Sequence, residues 1–446
     1  MPMKEKNTRL FLFFILVILF FFAPVLAQAP ALELKTAIAL PSTGINGNHT
    51  PHIHIADNGQ LVALSYENTP DLFVYDGDGS FLWNSTLSAE SSPWISSVSI
   101  APEGQELLVT QLVPAYGHGS VTNTSSNKVI LFNRAGLELW EYSTYSPPYV
   151  SVVSNNNKEI ILGTQDGQII SLNKNGTPRW STRVDAPVLS LATSGDGGTI
   201  VATGESNYYF NKLYNEPLNP HDLFVLDTRG ILLWKYSTGG RNKAAVSNDG
   251  SVIAVTEENS GNVLLFNRSG SKHWERSLGE PVSALAVSGD GNLVVVMTRG
   301  GVVSGFDRNG LSVWRVSVEP ESHGIAFIGN QNDVLLGNQQ TIARYDKSGN
   351  LLETYPADSR ILSIETSHHG QSFIVGTEQK LVFFSEGKTV PGAGNPEVTR
   401  IPPVRSPTTV PPTQKEAPLP WFVSVIAVSF LGLFGYSVAR KRKEQG

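Results

Sequence analysis

The sequence predicts an all-β protein, an eight-bladed β-propeller followed by one C-terminal transmembrane helix. Three observations carry this prediction. A unit of about 40 residues recurs along the chain, each unit contains glycine-centred turns, and short runs of alternating apolar residues lie between the turns,. Four short strands in a unit of that length are typical of one propeller blade.

The turn before the last strand of the unit has a fixed pattern. An aspartate or asparagine lies three residues before a glycine, and a tryptophan lies four residues after it. The acidic or amide side chain can cap the turn, and glycine takes the positive φ that starts the next strand. Because the pattern recurs, we expect these residues to be structural. The six pairs are Gly79/Trp83, Gly136/Trp140, Gly176/Trp180, Gly230/Trp234, Gly270/Trp274 and Gly310/Trp314.

The last units depart from the pattern. The seventh copy has Asp346 and Gly349, but Glu353 stands where tryptophan is expected. The eighth unit ends at Phe384 without a fourth strand, while residues 32–40 form a spare alternating strand before the first unit. Placing that strand in the last blade removes the open edges. This closure predicts eight blades, and seven blades are the alternative.

The turn pattern resembles the PQQ-like propeller repeat of quinoproteins. A second type of turn, Ser-x-Asp-Gly, ends at Gly197, Gly250 and Gly291 and is similar to turns of WD40-like repeats. The resemblance covers residues 32–386. It implies the fold, but propellers host catalysis, scaffolding and recognition alike.

The N-terminus predicts export. Three basic residues within the first nine are followed by an apolar run from Leu10 to Ala23. Small residues then offer cleavage sites, and cleavage after Ala27 would make residues 1–27 a signal peptide. An uncleaved anchor is the alternative.

The C-terminus predicts a membrane anchor. Residues 387–420 contain nine prolines, which predicts an extended stalk,. Residues 421–439 carry no charge and are long enough to span a bilayer,. The basic tail 440–446 indicates a cytoplasmic C-terminus and an ectodomain outside the cell membrane. Together these features resemble a single-pass prokaryotic surface protein, most closely an archaeal one.

Composition excludes several classes of function. The chain has no cysteine, which excludes disulfides, Fe–S clusters, cysteine-ligated zinc and thiol catalysis,. The net charge is −6 although both ends are basic, so the ectodomain is acidic. An acidic surface argues against nucleic-acid binding.

Four large ionisable residues interrupt the columns of small residues that the innermost strands turn towards the channel: His52, His54, Lys243 and Glu365. Ring closure makes the first and last blades neighbours, so we expect His54 and Glu365 to lie within hydrogen-bonding or one-water distance. An ionised Glu365 would raise the pKa of His54, and burial would act in the opposite direction. An ordinary polar contact in a wet channel is one interpretation. A metal site formed by His52, His54 and Glu365 is the other.

Two units carry insertions between their second and third strands, at residues 111–127 and 205–221. Aromatic residues and a histidine on such loops suit recognition, although they could instead pack on their own blades. The candidate binding residues are Tyr116, His118, Tyr208, Tyr209, Phe210 and Tyr214. Candidate glycosylation sequons are Asn48, Asn84, Asn123, Asn175 and Asn267,.

The sequence favours a non-enzymatic cell-surface propeller without a cofactor, which binds a protein or a glycan. The quinoprotein resemblance implies an alternative, a PQQ-type oxidoreductase. Against it, the chain lacks the vicinal cysteine pair that many such enzymes carry, and it shows no clear Glu/Asn/Asp calcium set. A third interpretation is an envelope-assembly scaffold, a class with a similar propeller that is usually lipid-anchored through cysteine.

Overall fold

The computed structural model describes residues 31–41, 51–87, 93–113, 127–154, 158–205, 221–238, 242–257, 260–320, 324–328, 332–367 and 371–386. These residues form β-strands, turns and connections, and no helix is found among them. Accordingly, the described part of the chain has no helix that could cross a membrane. The predicted signal peptide, stalk, transmembrane helix and basic tail lie outside the described residues.

The first four blades are four-stranded antiparallel sheets whose strands follow chain order from the innermost outwards. Blade 1 consists of β2 (Pro51–Ile55), β3 (Leu61–Tyr66), β4 (Asp71–Asp76) and β5 (Phe81–Thr86). Blade 2 consists of β6 (Trp94–Ile100), β7 (Glu106–Leu112), β8 (Lys128–Asn133) and β9 (Glu138–Ser143). Blade 3 consists of β10 (Pro148–Val153), β11 (Ile160–Thr164), β12 (Gln168–Leu172) and β13 (Pro178–Arg183). Blade 4 consists of β14 (Val188–Thr193), β15 (Ile200–Glu205), β16 (His221–Leu226) and β17 (Leu232–Ser237).

The next three blades repeat this order, and the last one does not. Blade 5 consists of β18 (Asn242–Val246), β19 (Val252–Glu257), β20 (Asn262–Asn267) and β21 (Lys272–Ser277). Blade 6 consists of β22 (Val282–Val287), β23 (Leu293–Thr298), β24 (Val302–Asp307) and β25 (Ser312–Ser317). Blade 7 consists of β26 (Ile325–Ile328), β27 (Asp333–Asn338), β28 (Thr341–Tyr345) and β29 (Leu351–Pro356). Blade 8 consists of β30 (Ile361–Thr366), β31 (Ser372–Thr377), β32 (Lys380–Glu386) and β1 (Leu32–Ala39).

The N-terminal strand closes the ring. β1 pairs antiparallel with β32, from Leu32 opposite Glu386 to Ala39 opposite Lys380. Blade 8 is therefore built from both ends of the propeller segment, and its innermost strand packs beside β2 of blade 1. The predicted closure and the eight-bladed ring are confirmed, and the seven-bladed alternative is wrong.

The core lies between neighbouring blades. Every residue of the second strands β3, β19 and β23 is buried, because each of these strands is covered on both faces by sheet. One cluster joins Leu61 and Val74 of blade 1 to Val98 and Leu107 of blade 2, and another joins blade 1 to blade 8. Apolar packing between successive blades thus holds the ring together without covalent links.

The repeated tryptophan joins one blade to the next. The Nε1–H of Trp180 donates to the carbonyl oxygen of Thr228 in the following blade at 2.9 Å. The ring also covers Gly230, where an added Cβ would lie 2.3 Å from the nearest ring atom. Asp227 caps the same turn by accepting bonds from the N–H groups of Arg229 and Ile231. The other five tryptophans of the repeated pattern make the equivalent bond, which confirms the structural role predicted for the pattern.

Candidate functional site

The innermost strands surround the axis of the ring, and each packs beside the innermost strands of both neighbouring blades. The register supports the predicted alignment, since His52 lies opposite Ser65 in blade 1 and Ser363 lies opposite Gly376 in blade 8. Residues of the two predicted columns are half-buried or exposed, with Ala326 as a buried member. The columns therefore face an open channel.

Burial keeps the histidines of blade 1 neutral. Burial and, as the smaller cause, the charge of neighbouring His52 together lower the pKa of His54 to about 3. Burial also lowers the pKa of His52, while the carboxylate of Glu67 acts in the opposite direction. Both imidazoles are therefore uncharged near neutral pH, with hydrogen-bond donor and acceptor nitrogens on the channel wall.

Glu365 borders the same part of the channel from blade 8. Its side chain is exposed to the channel, and desolvation by the channel walls raises its pKa to about 7. Neither Glu365 nor His54 perturbs the pKa of the other, and no hydrogen bond or ion pair joins them in the described chain. The raised pKa that an ionised Glu365 would give His54 is not found, because desolvation dominates,. A contact between the two side chains through one water stays a prediction.

The channel residues do not form one cluster. Lys243 lies on blade 5, across the ring from blade 1, and its Nζ donates to the carbonyl oxygen of Ser283 at 2.6 Å. No three histidine, aspartate or glutamate side chains of the described residues come close enough together to hold a metal ion. His52, His54 and Glu365 are therefore not gathered as a ligand set in this structure.

Serine side chains join the innermost strands of blades 2 and 3, with Ser97 and Ser99 at the column positions of blade 2. Ser99 donates to the carbonyl oxygen of Ser151 at 2.8 Å, and the N–H of Ser151 donates to Ser97 at 3.2 Å. In blade 8 the matching positions hold Ser363 and Glu365, and the Ser363 hydroxyl is buried without a hydrogen-bond partner. The sequence reasoning missed this serine network, because it counted Ser97 and Ser99 only as small residues and did not consider Ser151.

The two insertions have their anchors on one face of the ring. One connects β7 to β8 and the other connects β15 to β16, and in antiparallel blades all second-to-third connections lie on the same side,. We call this side the loop face. The candidate residues Tyr116, His118, Tyr208, Tyr209, Phe210 and Tyr214 lie outside the described residues.

Three of the sequons fall on described residues. Asn84 is exposed on β5, and Asn175 is exposed in the turn between β12 and β13. The side chain of Asn267 accepts a hydrogen bond from the N–H of Ser271 at 2.9 Å, as a turn cap. Asn48 and Asn123 lie outside the described residues.

The outer strands expose apolar side chains that the sequence reasoning did not single out. They lie between the turn glycine and the tryptophan position, and that spacing is the signal that could have found them. The exposed residues are Phe81, Leu82, Leu137, Leu139, Ile231, Leu232, Leu233, Leu311, Val313, Leu351 and Leu352. We call this set the apolar rim.

The outer strands differ in how their open edges are protected. β13 begins with Pro178 and Arg179, and β21 begins with Lys272, which are residues that discourage pairing with a further strand,. β5, by contrast, has the sequence FLWNST and carries neither proline nor charge. Among the described residues no strand covers the edge of blade 1, which begins with two exposed apolar side chains and carries no charge.

Known proteins place the chain in a family. The family model described as outer membrane protein assembly factor BamB matches residues 125–284 and 259–390, more than half of the chain. The chain belongs to this family. The predicted PQQ-like repeat is thereby confirmed.

One curated relative and one solved structure are similar to the chain. BamB of Nitrosomonas eutropha is 24% identical over 220 residues, which are 45% of this chain and 50% of that protein. The match thus spans half the length of that relative. The crystal structure of BamB from Moraxella catarrhalis superposes with a TM-score of 0.54 at 16% identity, over 81% of this chain and 100% of the other. At that identity the likeness concerns the fold alone.

Proposed function

We propose that this protein is a non-catalytic scaffold that binds a partner protein during assembly of the cell envelope. The observation that carries the proposal is the family match, because the matched family is described as an assembly factor. The fold is compatible with this role, since a propeller offers wide outer surfaces on a rigid ring. The family match favours this scaffold role over cell-surface recognition of a protein or a glycan.

The proposed docking site is the outer edge of blade 1. β5 is paired with β4 on one side only, and Phe81 and Leu82 are exposed at its start. An extended segment of the partner would pair with the free backbone edge and place apolar side chains against these two residues. We therefore propose an apolar β-strand of another protein as the occupant.

The proposed place of action is outside the cytoplasm, at the membrane. The basic and apolar N-terminal segment supports export, and the uncharged segment 421–439 followed by a basic tail supports a single-pass anchor,. A scaffold anchored in this way would meet its partner close to the bilayer surface.

Site-specific photocrosslinking in native membranes tests the docking site. A photoreactive residue replaces Leu82 on β5 or, as the matched control, His273 on β21, since both lie three residues after the turn glycine and are exposed. We expect one discrete protein adduct from position 82 and none from position 273. Equal labelling at both positions, or no adduct at position 82, contradicts docking at blade 1.

A graft from blade 3 tests whether the edge itself is recognised. Phe81 and Pro178 occupy the same register, opposite Tyr75 and Leu172, so the double variant Phe81→Pro/Leu82→Arg gives blade 1 an edge that the fold already tolerates. The adduct from a photoreactive residue at the neighbouring exposed Asn84 should disappear while the melting temperature stays nearly unchanged. Persistence of that adduct would assign binding to another surface.

A further inference from the structure

The joint between blades 7 and 8 cannot use the tryptophan that joins the earlier blades. In those joints the indole N–H donates to a carbonyl in the turn between the third and fourth strands of the next blade. Blade 8 has no such turn, because its fourth strand is β1, which comes from the other end of the propeller segment. Glu353 occupies the tryptophan position in blade 7.

Glu353 binds the first residue of β1 instead. Both of its carboxylate oxygens accept from the N–H of Leu32 at 3.2 Å. The hydroxyl of Tyr355, two residues further along β29, donates to the carbonyl oxygen of Leu32. The side chain of Leu32 is buried in the apolar cluster that includes Leu335 and Ile342 of blade 7.

A buried arginine holds this carboxylate in place. Arg344 is 2% exposed, and its Nη1 lies 3.2 Å from Glu353 Oε1. Its Nη2 lies 2.6 Å from Asp333 Oδ2 and 3.0 Å from Glu386 Oε1 on β32. From β28, this one guanidinium therefore reaches three other strands, β27 and β29 in blade 7 and β32 in blade 8, and fixes the orientation of Glu353 towards β1,.

We propose that Glu353, Tyr355 and Arg344 form a main-chain binding site whose ligand is the first residue of this chain's own closing strand. At the tryptophan position the polarity is reversed, because Glu353 accepts from a strand N–H where tryptophan donates to a turn carbonyl, while Tyr355 supplies the donor to the Leu32 carbonyl. The apolar pocket around Leu32 adds selectivity for a residue of that size. Blade 8 is thus a strand acceptor, and β1 is its separable ligand.

The other side of blade 8 supports this assignment. Where blade 8 meets blade 1, Thr36 of β1 covers Gly79 in place of a tryptophan, and an added Cβ at Gly79 would lie 2.4 Å from it. Lys35 pairs with Asp78 of that turn at 2.8 Å. β1 therefore contacts both blade 7 and blade 1 through residues that have no counterpart in the tryptophan joints, as expected for a strand that is bound by its own site.

Hydrogen exchange of the β1 peptide in the full chain, with β11 as the internal reference, tests the site. Glu353→Trp restores the residue of the other blades but removes the acceptor for Leu32. Loss of a charge-assisted bond should speed exchange of β1 about tenfold or more while β11 is unaffected. Unchanged or slower exchange of β1 would mean that Glu353 is only a degenerate repeat position, and overturns the proposal.

A conservative pair of variants decides the question if Glu353→Trp fails to fold. Tyr355→Phe removes one hydroxyl, and Tyr142→Phe makes the same change at the equivalent position of blade 2. We expect faster exchange of β1 in Tyr355→Phe alone. Equal exchange of β1 in the two variants contradicts a site at Leu32.

Discussion

At the scale of single residues, position in the ring decides how an ionisable side chain behaves. Lys243 donates a hydrogen bond to a carbonyl oxygen in the next blade. No opposite charge among the described residues contributes to the pKa of Glu365 or His54. Burial then shifts each of them towards its uncharged form. Near neutral pH the wall between blades 8 and 1 is consequently polar, with His54 uncharged and Glu365 partly protonated.

The raised pKa of Glu365 predicts a dependence of stability on pH. Its folded-state pKa is about 7 against an ordinary 4.5. Glu365 therefore contributes stability that is present below the ordinary value and lost as the pH rises through about 7. The melting temperature of Glu365→Gln relative to the wild-type protein should increase from about pH 5 to about pH 8.

Comparing the two proteins removes the effect of His54. Its lowered pKa reduces the stability of both proteins equally as the pH falls below the ordinary histidine value,. A difference in melting temperature that stays constant with pH would show that Glu365 titrates normally in the folded protein.

The contact between turn glycine and tryptophan makes a second prediction at this scale. Gly230 and Gly279 both have a φ of +75°, but a Cβ would strike the Trp180 ring at Gly230 and meets nothing within 4 Å at Gly279. Gly230→Ala should therefore cost about 1–3 kcal/mol more in unfolding free energy than Gly279→Ala. Chemical denaturation of both variants measures the two losses in unfolding free energy. Equal losses would show that packing of Trp180 does not require glycine at position 230.

At the scale of strands, the sequence predicts most of the architecture because local chemistry determines it. Turn glycines with their Asp or Asn caps mark where strands begin, and the alternating pattern of residues 32–40 identifies the closing strand. Contacts between blades are less predictable. Glu353 stands out in the sequence as a missing tryptophan, but its partner Leu32 is 321 residues away.

The candidate sites show the same limit. His54 and Glu365 fall on neighbouring blades as expected, yet alignment of columns does not determine how strongly each side chain is desolvated, so the direction of the His54 pKa shift could not be predicted from sequence. The apolar rim was missed because its residues look like ordinary strand positions until the outermost strand of each blade is known. The insertions stay a prediction for recognition by Tyr208, Tyr209 and Phe210.

At the scale of the whole molecule, the ring depends on a contact between its first and last strands. Each of the other joints connects consecutive blades, whereas β1 must return to β32 after more than 300 residues of intervening chain,. The absence of cysteine means that no covalent bond secures this closure. The proposed scaffold function relies on it, because an open ring would not hold the outer edges in fixed positions.

Closure can be measured directly by an engineered disulfide. Ala37 and Val382 lie opposite each other in the β1–β32 pair, at a Cα separation typical of antiparallel strands and suitable for a disulfide,. In Ala37→Cys/Val382→Cys, the only two thiols of the chain should form an intramolecular disulfide under mild oxidation, seen by mass spectrometry and by faster migration in a non-reducing gel. Free thiols after oxidation, or bonds formed only between two chains, would contradict a ring that each molecule closes with its own N-terminal strand.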